Sequence, residues 1–68
     1  MDKIAHQIAT KLYRIRNELK IKQTDLQKEG IISQSHLSKI ENEEINISAV
    51  TLYKLAKRYK VDMNYFFE

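Results

Sequence analysis

An all-α fold of five helices joined by short connections is what this 68-residue sequence predicts. Three observations predict it. Apolar residues recur at spacings of three and four rather than two. The chain has no proline and one glycine, so little interrupts a helical backbone. The stretch QTDLQKEGIISQSHLSKIEN, Gln23 to Asn42, sets two short helical patterns on either side of that glycine.

The first helix is expected over about residues 3–20, capped by Asp2, with Ile4, Ile8, Leu12, Ile15 and Leu19 forming one amphipathic stripe. The second spans about 23–28 and contributes Leu26. Gly30 supplies the left-handed residue that ends it, and Ile31 and Ile32 cross the turn. Ser33 then opens a third helix at about 34–41, its hydroxyl accepting from the amide of Ser35 or His36. Stepping about 100° per residue puts Leu37 and Ile40 on a buried stripe, with Ser35, Ser38, Lys39 and Asn42 opposite and Gln34 and His36 at the flanks. This is a helix-turn-helix layout. After a loop at about 42–47, Ser48 caps a fourth helix whose Leu52, Leu55, Ala56 and Tyr59 face the core. Asp62 caps a last short helix holding Tyr65, Phe66 and Phe67. Neither a strand pattern nor an internal repeat, low-complexity segment or linker competes.

Composition fits a single domain over residues 1–68. A chain this short buries only about 60% of its unfolded surface, so every helix must contribute to one core. With no cysteine there are no disulfides or thiolate metal sites, and His6 and His36 lack metal-site partners, so neither metal nor cofactor is expected. Nothing marks the chain as membrane-spanning or secreted, which makes the cytoplasm or nucleoid the expected location. Charge is uneven: residues 1–40 hold eight Lys or Arg against four Asp or Glu, and residues 41–68 hold four against five. The positive field therefore lies with the first three helices, where it would attract phosphate.

Catalysis is not expected. Ser33, His36 and Asp25 can be assembled on paper into a hydrolytic triad, but Ser33 is a helix cap, and neither a nucleophile elbow nor an oxyanion glycine is present. Tyr53, Tyr59, Tyr65 and Phe66 do not form a stacking platform for single strands and read mostly as core or interface. Lys54, Lys57, Arg58 and Lys60 read as a solvated basic face. The third helix is different, because its exposed side is polar and barely charged, and Gln, Ser and Lys there can read base edges or hold phosphate. Arg16 and Glu41 each stand one turn after a buried leucine, where a charge is awkward.

From Leu12 to Phe67 the blocks LYRIRNELKIKQTDLQ, ISQSHLSKIEN and ISAVTLYKLAKRYKVDMNYFF resemble the Cro/CI-type (XRE-like) helix-turn-helix family. The matches include Arg16, Gln23, Leu26, Ser33, Ser35, Ser38, Ile40, Glu41, Asn42, Thr51, Leu52, Ala56, Val61 and Phe67. The resemblance implies a five-helix lambda-repressor-like DNA-binding domain. It also implies sequence-specific binding of double-stranded DNA by a bacterial or phage transcription regulator, and an Arg16–Glu41 ion pair tying the first helix to the recognition helix. On that reading the recognition helix enters the major groove N-terminus first. Gln34 is the expected adenine reader and Lys39 the donor to guanine, with Ser35 and Ser38 on bases or phosphate. Gln23, Lys22 and Asn42 are the expected phosphate contacts, with Arg14 a further candidate. One recognition helix covers only a few base pairs, so a homodimer on an inverted-repeat operator is expected. Its interface would be Tyr65, Phe66 and Phe67, with Phe66 or Phe67 partly exposed in the monomer.

Three departures from the family stand out. Lys22 stands where Ser or Thr commonly caps the second helix, leaving that cap to Thr24 or the helix uncapped. Gln27 stands where two helices cross closely on a small residue, and the turn glycine is Gly30 rather than residue 31. Glu43 and Glu44 are acidic where many relatives carry glycine and a basic residue against phosphate. The segment EGIISQSHLSKIE also resembles the N-terminal domains of peptide-pheromone-sensing regulators of Gram-positive bacteria, in which a helical-repeat domain follows. A small peptide effector would need that domain. A stand-alone Cro-like or restriction-controller-like protein and an excised domain of a larger regulator both fit. The competing class is a helical protein–protein interaction module without DNA binding, which a salt titration of duplex binding separates.

Overall fold

The computed structural model describes residues 3–68 as four α-helices, α1 (Lys3–Glu18), α2 (Gln23–Lys28), α3 (Gln34–Glu41) and α4 (Ala49–Tyr59), closed by a 3-10 helix (Met63–Phe67). The fold is all-α, and α2 and α3 form the helix-turn-helix. The Asp2 cap expected for α1 lies outside the described residues. Ser33 Oγ accepts the His36 N–H at 3.1 Å, Ser48 Oγ accepts the Thr51 N–H at 3.2 Å, and an Asp62 carboxylate oxygen accepts the Asn64 N–H at 2.8 Å. The start of α2 is built differently. Lysine has no side-chain acceptor, so Lys22 cannot cap; instead the Asp25 carboxylate reaches back to the Lys22 N–H at 2.9 Å. Thr24 is therefore not the cap, and α2 begins at Gln23.

Each α-helix ends on a left-handed residue: Lys20 (φ 58°), Gly30 (φ 77°), Glu43 (φ 63°) and Lys60 (φ 59°). At α2 the Gly30 N–H donates to the Gln27 carbonyl and the Ile31 N–H to that of Leu26, and the same pair of bonds recurs after α1, α3 and α4. Three of the four turns thus use a residue with a Cβ, at a cost of about 1–2 kcal/mol each. The turn at Lys20 also explains why α1 stops at Glu18 rather than reaching Lys20. Replacing the exposed Lys60 by glycine should therefore raise stability by about 1 kcal/mol, or about 4–8 °C in melting temperature for a domain of this size. A thermal melt in which Lys60→Gly unfolds at or below the parent temperature would contradict this.

The core is one cluster: Leu12 and Ile15 of α1, Leu26 of α2, Ile32 of the turn, Leu37 and Ile40 of α3, Leu52, Leu55, Ala56 and Tyr59 of α4, and Phe66. α1 packs on α3 and on the 3-10 helix, α2 on α3, and α4 on the 3-10 helix. The two ends of the α1 stripe are not in that core: Ile4 is 61% exposed and Leu19 45%. Leu19 falls in the turn that Lys20 closes, beyond the last helical residue. Ile4 projects past the core and lines, with Ile8, Ile40, Ile45 and Ile47, an apolar groove of about 270 Å³. Among the described residues no helix is long and apolar enough to cross a membrane.

Candidate nucleic-acid interface

Eight residues make α3 about 12 Å long, close to the roughly 12 Å width of a DNA major groove. Its Leu37 and Ile40 are buried, whereas Gln34, Ser35, His36, Lys39 and Asn42 are exposed and Ser38 is half-buried. Asn42 Nδ2 donates to Ser38 Oγ at 3.3 Å, so these two side chains are already linked in the free domain. Among the described residues no hydrogen bond or ion pair holds the side chains of Gln34, Ser35 or Lys39. The outer face is therefore a row of small polar groups with one cation.

A buried charge network fixes this face to the rest of the fold. Arg16 grips Glu41 with both prongs of its fork, Nε to Oε2 at 2.8 Å and Nη2 to Oε1 at 2.9 Å, and its Nη1 donates to the Ile21 carbonyl at 2.8 Å. The side chains are only 11% and 3% exposed. Gln23 Nε2 adds a third donor to Glu41, at 3.1 Å. Three segments thus meet at the Glu41 carboxylate, α1, the first residue of α2 and the last of α3, and the Arg16 guanidinium adds the connection after α1 through the Ile21 carbonyl. The hydrogen bonds to Glu41 push the Arg16 pKa up, against the opposing effect of burial. Beside them Tyr59 has a buried hydroxyl with no hydrogen-bond partner among the described residues, and burial pushes its pKa up.

Because Gln23 reaches Glu41, the start of α2 lies beside the end of α3. Lys22, Gln23 and Asn42 accordingly gather at the C-terminal end of α3, and Gln34 and Ser35 stand at the opposite end. One N–H of the Gln23 amide is spent within the network. Arg14 is exposed on α1, away from that cluster in sequence. At the chain's other end the aromatics separate. Phe66 is fully buried in the core, which removes it from any dimer interface; Phe67 is 52% exposed and Tyr65 half-buried. Lys11 Nζ lies over the Tyr65 ring at 4.7 Å, and the Phe66 ring meets it edge-on at 5.2 Å.

A family model described as helix-turn-helix matches residues 12–66. The chain belongs to the helix-turn-helix family. No curated protein and no solved structure gave a match to the chain. The matched stretch takes in all of α2, α3 and α4, the Arg16–Glu41 network and the exposed row of α3, so the features just described lie within the helix-turn-helix unit. That family is one of DNA-binding regulatory domains.

Three further contacts of this helix-turn-helix were not read from the sequence. Gln27 Oε1 accepts the backbone N–H of Gln34 at 2.7 Å across the turn. Arg58 forks onto Glu29 at 2.6 and 3.0 Å, tying α4 to the end of α2; this bond lowers the Glu29 pKa and raises that of Arg58. His6 Nδ1 lies 2.8 Å from Glu43, so the acidic residue after α3 is turned back towards α1. The last two pairs join residues 29 and 37 positions apart, and no local pattern announces them. Gln27 does carry a signal, a large amide where the resemblance implies a small residue.

Proposed function

We propose that residues 1–68 form one DNA-binding domain that reads double-stranded DNA sequence-specifically as a bacterial or phage transcription regulator, with α3 in the major groove. The reading is carried by the exposed polar row of α3, held on a frame that the buried Arg16–Glu41 pair ties together. Gln34 pairs its amide with adenine, Lys39 donates to guanine O6 or N7, and Ser35 and Ser38 contact bases or phosphate. Lys22, Gln23 and Asn42, at the far end of α3, hold the DNA backbone. A homodimer on an inverted repeat supplies the length of site that one α3 cannot. The place of work is the cytoplasm, where a bacterial or phage operator lies. In the pheromone-sensing version of this reading the 68 residues are the DNA-binding unit, and a peptide would act through a helical-repeat domain.

Selection of bound duplexes from a random pool gives the preferred site, and variants then test the roles. Gln34→Ala or Lys39→Ala should each cost about 1–3 kcal/mol on that site and relax the choice at one or two base pairs, whereas Gln23→Ala should weaken all sequences nearly equally. Uniform losses from all three would overturn the assignment. If the competing interaction-module class were right, the log of the binding constant would not fall steeply with log salt.

A further inference from the structure

The first amides of a helix have no partner inside it, and the first residue of α3 is the one proposed to read adenine. Ser33 Oγ takes the His36 N–H, and no acceptor holds the Ser35 N–H among the described residues. The Gln34 N–H is instead held from outside the helix, by Oε1 of Gln27, the penultimate residue of α2, at 2.7 Å. We propose that Gln27 is a positioning residue for base readout: its carbonyl pins the Gln34 backbone to α2 across the turn and so sets where the Gln34 side chain enters the groove. The inference rests on the DNA-binding reading and deepens it.

The physical need is clear. A bidentate amide–adenine pair tolerates only about 0.5 Å and 10–20° of misplacement, and glutamine approaches it through a long, flexible side chain. Fixing the backbone beneath that side chain removes part of the ordering cost on binding. A small residue at position 27 would leave the Gln34 amide to water. The bond acts at the residue where backbone position and base choice meet. Glutamate at 27 keeps the acceptor, and its charge suits a helix N-terminus.

The test uses Gln27→Ala and Gln27→Glu with two measurements. In the free protein, the Gln34 amide should exchange with solvent more slowly than that of Ser35; Gln27→Ala should remove the difference and Gln27→Glu retain it. On DNA, discrimination is the ratio of affinities for the preferred duplex and for one changed at the base pair that Gln34→Ala relaxes. Gln27→Ala should lower that ratio about 2- to 10-fold, the span of one net hydrogen bond. Gln27→Glu should keep the ratio near the parent value while binding every duplex more weakly through charge repulsion. A parent ratio unchanged in Gln27→Ala, an equal loss on all duplexes, or a ratio as low in Gln27→Glu as in Gln27→Ala overturns the proposal alone. A parent protein that prefers no duplex overturns the DNA-binding reading, and this proposal with it.

Discussion

Glu41→Ala should leave the domain largely unfolded. The substitution strips Arg16 of two of its three hydrogen bonds and leaves a buried guanidinium with the Ile21 carbonyl and the face of the Tyr13 ring but no counter-charge from Glu41. It also frees the Gln23 amide. Removing one partner of a buried ion pair costs about 3–5 kcal/mol, because the stranded charge remains desolvated. A folded domain has about 5–15 kcal/mol in total, and one of this size sits at the low end. A thermal melt followed by circular dichroism checks this, and an unchanged melting temperature would contradict it. Two controls separate the charge from mere loss of packing. Tyr59→Phe removes a buried hydroxyl that has no hydrogen-bond partner among the described residues, and should cost little or nothing. The double variant Arg16→Met/Glu41→Leu replaces both charges and should be more stable than Glu41→Ala. If it were no more stable, the penalty would not come from the stranded charge.

Residues whose signal is local were legible before the structure; residues whose partners are remote were not. Ser33 and Gly30 bracket the turn by their own chemistry, a hydroxyl acceptor and a backbone free of Cβ, so the end of α2 and the start of α3 follow from the sequence. The polar row of α3 follows likewise, because its period is set by the helix and its buried side by Leu37 and Ile40. The end of α1 does not follow, since Lys20 adopts a glycine-like conformation and nothing in a lysine announces that. Hence the apolar spacing puts Leu19 on a stripe that the helix does not continue. At Tyr65, Phe66 and Phe67 three adjacent aromatics give no period, and only packing against α1 and α4 decides that Phe66 turns inward. The same limit applies at the site: the sequence offers Gln23 as a phosphate contact, and its bond to Glu41, 18 residues away, has no local signal.

On DNA, two copies should occupy one palindromic duplex, and removing one half-site should cost about 100-fold or more in affinity. A single module of this kind buries about 600–1,000 Å², a modest contact for a specific complex. Joining two converts the second binding step into an intramolecular one, worth about 10²–10⁴ in avidity. Half-sites one helical turn apart lie about 34 Å from each other on the same face of the duplex. The domain measures 30 × 23 × 21 Å, so copies placed at that spacing can reach one another. With Phe66 withdrawn into the core, the contact expected at the C-terminal end narrows to the exposed Phe67 and the outer part of Tyr65. Phe67→Ser should therefore lower the gain from the second half-site while leaving affinity for an isolated half-site and the melting temperature nearly unchanged, because the ring is more than half in water in the monomer. Sedimentation with and without a palindromic duplex gives the stoichiometry, and pairing that appears only on DNA is consistent with so small a patch. One copy per palindrome at saturation would refute the dimer, and a Phe67→Ser protein that keeps the full gain would move the interface elsewhere.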